Sequence, residues 1–242
     1  KRGALLSVDS TAMTPVLQRP LGLGADIVVH SATKYLCGHS DVMAGSVAVA
    51  DAALGEQVYA VQNGEGAGLS PFDSFLLLRG MKTLGVRLRA QQASAGRIAA
   101  VLVEHPVVKQ VHFVGLSGHP GSALHAAQAD GPGAVVSFET GSVETSRRIV
   151  ESLTLFGIAV SFGGVNSSVS LPCRMSHASI PAAVREARAL PEDLVRVSVG
   201  IEHTDDLVAD VSRVLNEVGR ENGCDGSGPS AAQTSGECLV GS

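Results

Sequence analysis

Charge is scarce in this chain. Asp, Glu, Lys and Arg make up 17% of its 242 residues, against roughly 25% in an average soluble protein. Eighteen Lys and Arg against 23 Asp and Glu leave a net charge of −5 and a pI near 5.9. A surface for a phosphate backbone needs a concentrated basic stripe, and the densest basic cluster here is Arg79, Lys82, Arg87 and Arg89. That cluster falls within one helical stretch and reads as a solvated or intersubunit face, which excludes nucleic acid as a partner. No apolar run approaches the ~18–20 residues of a bilayer-spanning helix, so a membrane partner is not expected either. Cys37, Cys173, Cys224 and Cys238 show neither C-x-x-C spacing nor the density of a disulfide framework, and a reducing compartment follows. Among eight histidines no H-x-x-x-H occurs, and no metal set is expected. An initiating Met is missing too. The chain starts Lys1-Arg2-Gly3-Ala4-Leu5-Leu6, already in what reads as a core strand. The expectation is therefore the C-terminal portion of a longer chain, with any targeting peptide upstream.

Apolar residues are plentiful, at 45% hydrophobic and a mean hydropathy of +0.24, enough to fill a core and to exclude wholesale disorder. Ala4–Val8, Ile27–His30 and Ser46–Ala50 read as short strands, with a helix over Pro15–Leu23 between the first two. Strands alternating with helical connections predict an α/β sheet, and uniformly apolar strands predict one covered on both faces. From Asp73 to Glu104 the 4/3 spacing of Leu77, Met81, Leu84, Leu88, Ala95, Ile98 and Leu102 predicts one long bridging helix, with Gln91 as its single polar entry. Beyond Pro106, strands over Val107–Val114, Ala134–Glu139, Ile158–Phe162 and Leu194–Val199 alternate with helices over Ser122–Ala129, Val143–Leu153, Ile180–Arg188 and Asp205–Val218. The expected organisation is a large-domain remainder with its bridging helix over 1–105, a smaller α/β domain over 106–218, and a disordered Gly/Ser-rich tail over 219–242. Gly64, Gly66 and Gly68 follow a helical stretch rather than a strand, so a dinucleotide site is rejected.

Chemistry concentrates in Asp26–Ser40. A lysine beyond a strand is ordinarily a solvated residue, but Lys34 has Ser31 and Thr33 beside it and Gly38 behind it for a tight turn. The preceding apolar strand ends in Asp9. That residue is either a turn-forming Asx residue or one half of a pair suited to pyridoxal phosphate, with the lysine forming a Schiff base and the carboxylate facing the pyridinium nitrogen. A carboxylate about 4 Å from that nitrogen is worth roughly 4 kcal/mol at an effective dielectric near 20, enough to keep the ring cationic as an electron sink. Once displaced by substrate, the same lysine amine serves as a local base.

The Asp26–Ser40 segment resembles, position for position, the lysine signature of the Cys/Met-metabolism (transsulfuration) family of pyridoxal-phosphate enzymes. The resemblance runs through Gln18-Arg19-Pro20-Leu21, Gly68-Leu69-Ser70-Pro71-Phe72-Asp73, Leu78-Arg79-Gly80-Met81-Lys82-Thr83-Leu84, Met175-Ser176-His177-Ala178-Ser179 and Arg196-Val197-Ser198-Val199-Gly200, to about Val218. It implies the C-terminal part of a fold-type I large domain plus a small α/β domain. By resemblance, Lys34 carries the cofactor, Asp9 pairs with its pyridinium, and Ser31 and Thr33 contact its phosphate. Arg196 binds the substrate α-carboxylate, a task suited to a planar two-pronged guanidinium; without the motif it would read as a strand arginine in a salt bridge. Ser161 lies near the lysine and the carboxylate, and His177 is a hydrogen-bonded structural histidine. Many γ-acting members carry Glu before that serine, whereas Val160 stands here. The resemblance therefore implies a carbon–sulfur lyase that cleaves cystathionine by β-elimination, similar to the plant and algal branch, with γ-synthase or γ-lyase chemistry, including that of methionine γ-lyase, as the alternative. A non-catalytic truncated member docking on complete chains is the competing class. The implied partners are a sulfur amino acid and further copies of the chain, as shared-site dimers in a tetramer. The implied compartment is the cytoplasm or a plastid stroma. Because the family's glycine-rich helix start for phosphate lies upstream, this stretch alone is expected to bind the cofactor poorly.

Overall fold

A computed structural model describes residues 3–176, 178–187, 190–221 and 223. β1 (Ser7–Asp9) runs parallel to β2 (Ile27–Ser31), and β3 (Gly45–Val49) adds antiparallel to β2, giving the order β1-β2-β3. Asp9 lies opposite Val29, and Ser31 opposite Gly45. The carboxyl ends of β1 and β2 therefore share one edge. Between them, α1 (Thr14–Leu17) and a 3₁₀ turn (Pro20–Leu23) replace the single expected helix. Proline disfavours helical backbone in the residue before it, and Arg19 sits at φ −124°, ψ 76°. The expected cover on both faces is not found: Val28 and His30 of β2 are buried, but Val47 of β3 and Leu5 and Leu6 before β1 are exposed.

Two helices stand where one was expected. α3 (Pro71–Met81) starts on Ser70, whose Oγ accepts the Asp73 amide at 3.1 Å, and α4 (Leu84–Glu104) follows. The break is local chemistry. The Gly80 carbonyl that would continue the helix accepts instead from the Thr83 amide (3.2 Å), the Thr83 hydroxyl (3.1 Å) and Arg87 Nη2 (2.9 Å). α2 (Ala52–Glu65), capped by Asp51, buries no residue.

The second sheet has the order β4-β5-β8-β7-β6, built from β4 (Gln110–His112), β5 (Val135–Glu139), β6 (Gly157–Ile158), β7 (Ser168–Ser170) and β8 (Val195–Ser198). All pairs are antiparallel except β6 with β7. β7 was not expected, because Ser-Val-Ser carries too little apolar signal to announce a strand. The connections contain α5 (Ser122–Gln128), α6 (Val143–Ser152) and α7 (Ala182–Ala187), and α8 (Thr204–Glu221) packs on α4 and α6. Leu88, Ile98 and Leu102 of α4 meet Val136, Phe138, Val195, Val197, Leu207 and Leu215 in one core. Residues 219–221, expected in a disordered tail, close α8, because helix i→i+4 bonding continues from its amphipathic body; 224–242 lie outside the described residues. Cys37 and Cys173 are buried, as expected of core residues.

Candidate active site

Asp9 ends β1, and Ser31, Thr33 and Lys34 leave the end of β2, so all four gather at the carboxyl edge of a parallel pair. Open α/β sheets bind their ligands at that edge. Asp9 Oδ1 accepts the Thr11 amide at 2.9 Å, which makes it an Asx turn. The Thr11 hydroxyl and amide hold the Asp9 carboxyl below the usual carboxylate range against the effect of burial, and nearby His30 adds a smaller pull. The two readings of Asp9 are thus compatible. Thr11 also accepts the Ser31 amide at 2.7 Å, tying the carboxylate to the strand that delivers Lys34.

Thr33 is committed to its own loop. Its hydroxyl accepts the Ala44 amide at 3.0 Å and donates to the Ala44 carbonyl at 3.3 Å. A hydroxyl has one proton to give, so Thr33 retains only acceptor capacity in this arrangement. The Ser31 hydroxyl has no hydrogen-bond partner among the described residues.

Lys34 Nζ donates to Ser161 Oγ at 2.8 Å across 127 positions of sequence. It stands 5.2 Å from the centre of the Phe162 ring, and Arg196 Cζ stands 5.8 Å from the same centre, so two cations lie over one aromatic ring. Burial pushes the Lys34 amine below its ordinary value, and the charge of Arg196 adds to the shift. Arg196 belongs to β8, where strand alternation sends Val195 and Val197 into the core and Arg196 and Ser198 to the other face. Its Nη2 donates to the carbonyls of Val160 (2.6 Å) and Ser161 (3.3 Å). Among the described residues it has no carboxylate partner, and burial lowers its pKa. It makes no salt bridge, among the described residues, of the kind an ordinary strand arginine would make.

The segment expected as strand Ile158–Phe162 leaves the sheet after Ile158 and becomes a pinned loop. Its Gly163 has φ +82°, and a Cβ there would lie 2.8 Å from the Tyr35 amide nitrogen, so only glycine lets the loop press against the lysine turn. The Val165 amide donates to the Gly38 carbonyl at 2.8 Å, and the Gly163 amide to Ser198 Oγ at 2.9 Å. Glu202 accepts the Ser167 amide and hydroxyl at 2.6 and 2.8 Å. Beside the cluster lies a cleft of about 430 Å³ walled by Thr33, Asp41, Met43, Ser161, Phe162 and Asn166.

Over residues 1–216 the sequence matches the family described as Cys/Met metabolism PLP-dependent enzymes. The chain belongs to that family. It is the family expected from Asp26–Ser40, and its cofactor is pyridoxal phosphate. The chain is 59% identical over 210 residues to the chloroplastic cystathionine β-lyase of Arabidopsis thaliana, covering 87% of this chain and 45% of that protein. It is 48% identical over 218 residues to the cystathionine γ-lyase of Bacillus subtilis, covering 90% and 58% respectively. A solved cystathionine γ-synthase from Xanthomonas oryzae, in complex with cystathionine, superposes with a TM-score of 0.87 at 46% identity over 90% of this chain and 57% of that one. The fold is α/β, that of part of a fold-type I transferase. The chain spans about half the length of the curated relatives it matches.

Thr11, Phe162 and Glu202 were not expected at the site. Thr11 had a local signal, lying two residues after an Asp as Asx turns require. Phe162 and Glu202 had none, since their roles come from contacts more than 30 residues away. His177 lies outside the described residues.

Proposed function

We propose that the full-length protein cleaves cystathionine by pyridoxal-phosphate-dependent β-elimination, consuming water and releasing homocysteine, pyruvate and ammonia. The observation that carries this reading is the half-buried Arg196, without a carboxylate partner among the described residues, over the same aromatic ring as a lysine whose amine is held below its ordinary pKa. The donor set fits the cofactor: an amine that loses its proton readily, a carboxylate that stays ionised at the same sheet edge, and an uncommitted Ser31 hydroxyl. Bound there, pyridoxal phosphate would supply an electron sink for the charge left when the α-proton departs.

The chain's own groups do the rest. Lys34 would attach the cofactor, Asp9 would keep its ring nitrogen protonated, and Ser31 would face its phosphate, with Thr33 setting the turn. Arg196 would clamp the substrate α-carboxylate with its planar fork. The freed Lys34 amine, oriented by Ser161, would take the proton from Cα; a lowered pKa leaves more of it neutral and competent as a base near pH 7. γ-Elimination needs a second proton removed, from Cβ. Val160, whose side chain cannot titrate, stands before Ser161 where many γ-acting members carry Glu, and that supports β-cleavage.

The test uses the full-length protein with cystathionine and identifies the oxoacid. Pyruvate with homocysteine is expected, whereas 2-oxobutyrate with cysteine would assign γ-cleavage. Lys34→Ala is expected to abolish turnover. Asp9→Asn is expected to lower it by about two to three orders of magnitude, on the scale of ~4 kcal/mol for a close charge pair. Parental turnover in Lys34→Ala would sink the assignment.

A further inference from the structure

We infer that Arg87 and Gln91, one turn apart on α4, are positioning residues that set the distance between the Lys34 turn and the segments bearing Ser161 and Arg196. The inference rests on the reading of those three residues given above. Arg87, expected on a solvated face, is only 4% exposed, and Gln91 is fully buried. Arg87 reaches toward the lysine turn. Its Nη2 donates to the carbonyls of Gly80 (2.9 Å) and Leu36 (3.4 Å), and its Nε donates to Thr83 Oγ1 at 3.1 Å. The guanidinium lies against Gly38, where a Cβ would come within 2.3 Å of Nη1, and Gly38 closes the turn by donating its amide to the Lys34 carbonyl at 2.8 Å. Gln91 reaches the other way. Its Nε2 donates to the carbonyl of Gly164, in the Ser161 loop, at 2.8 Å, and to that of Val199, just past β8 and its Arg196, at 3.0 Å.

Neither residue is explained by packing. Arg87 Nη1 and Gln91 Oε1 are buried without a hydrogen-bond partner, and Arg87 has no carboxylate partner among the described residues. Burying an incompletely paired guanidinium or amide costs stability, and apolar residues of similar volume are often neutral or stabilising in such places. What this pair provides is a link between two chain segments 127 positions apart whose side chains meet at Lys34 and Ser161. A misplacement of about 1 Å at reacting groups can cost roughly 100-fold in rate.

The test uses the full-length protein and two readouts: the rate at which borohydride-trapped pyridoxal phosphate accumulates on Lys34, read by peptide mass spectrometry, and the steady-state KM for cystathionine. Arg87→Lys keeps the charge and loses the fork; it is expected to slow attachment at Lys34 at least tenfold and leave KM within twofold. Gln91→Met keeps the volume and loses the amide; it is expected to raise KM at least tenfold and leave attachment within twofold. Arg87→Gln and Gln91→Asn give the same split in smaller measure and decide the matter if a first variant fails to fold. A lowered melting temperature with both readouts at parental levels, or equal losses in both readouts from both residues, overturns the inference and leaves a structural role only. Attachment of the cofactor in the parent at a lysine other than Lys34 overturns the site reading and this inference together. The two failures are therefore distinguishable.

Discussion

The charge of Arg196 acts on Lys34, and this sets a pH signature at the scale of single residues. Lys34 is held down first by burial and then by the charge of Arg196. Removing that charge in Arg196→Gln lets the lysine pKa climb part of the way back, so the acidic limb of the kcat profile should move to higher pH. Arg196→Lys keeps the charge and loses the two-pronged grip. It should raise KM by about 100-fold or more with little movement of that limb. A pH–rate series on both variants checks the pair. Asp210 is a second charge set by its surroundings. Its carboxylate accepts the Thr154 and Leu155 amides (both 2.9 Å), the Thr154 hydroxyl (2.9 Å) and Arg213 (2.6 Å). These bonds hold its pKa below the usual range although burial opposes them. A depressed carboxylate contributes stability that is present above its unfolded pKa and lost as pH falls through the folded one. Asp210→Ala should cost about 2–4 kcal/mol near neutral pH, with the gap to the parent narrowing under acid conditions. Urea unfolding of both proteins across that range measures it.

Elements were legible in proportion to how local their causes are. α4 follows from apolar periodicity, and the start of α3 from Ser70 and Pro71. That Asp9 and Lys34 fall at one sheet edge was readable because Asp9 ends an apolar strand and Lys34 lies just past the next, and two successive parallel strands put their carboxyl ends on one edge. The split of α3 from α4 was not readable, since it depends on a buried arginine competing for the Gly80 carbonyl. The segment Ile158–Phe162 carried an apolar pattern typical of a strand, and only the tertiary bonds that the loop beyond it makes to Gly38, Gln91, Ser198 and Glu202 turn it away from the sheet. Gly163 is the residue on which that departure turns. Gly163→Ala would put a methyl group 2.8 Å from the Tyr35 nitrogen in left-handed backbone. The cost should be about 2 kcal/mol, or roughly 4–8 °C in Tm. Ser161 should also leave Lys34, which activity measured below the melting range would register as lost turnover.

At the scale of the whole molecule, two helices carry several exposed apolar side chains each. Phe72 (69% exposed), Phe75, Leu78 and Met81 of α3 are open to solvent, as are Tyr59 and Val61 of α2, a helix without a single buried residue. Phe72, Phe75, Leu78 and Met81 recur every three residues along α3, and exposed apolar side chains that follow one another on a helix mark a candidate association surface. The chain should therefore associate in a concentration-dependent way in sedimentation velocity, and Phe72→Ser with Leu78→Ser should shift the distribution toward the single chain. The site itself is braced differently. Arg87 and Gln91 hold their two segments by the carbonyls of Leu36, Gly80, Gly164 and Val199, which are main-chain atoms present whatever side chain each position carries. Substitutions at Met43 or Asn166 can therefore reshape the cleft wall while the scaffold under the reacting groups keeps its dimensions. A lineage built this way can explore new substrates through its pocket wall without first dismantling the frame that makes any of them react.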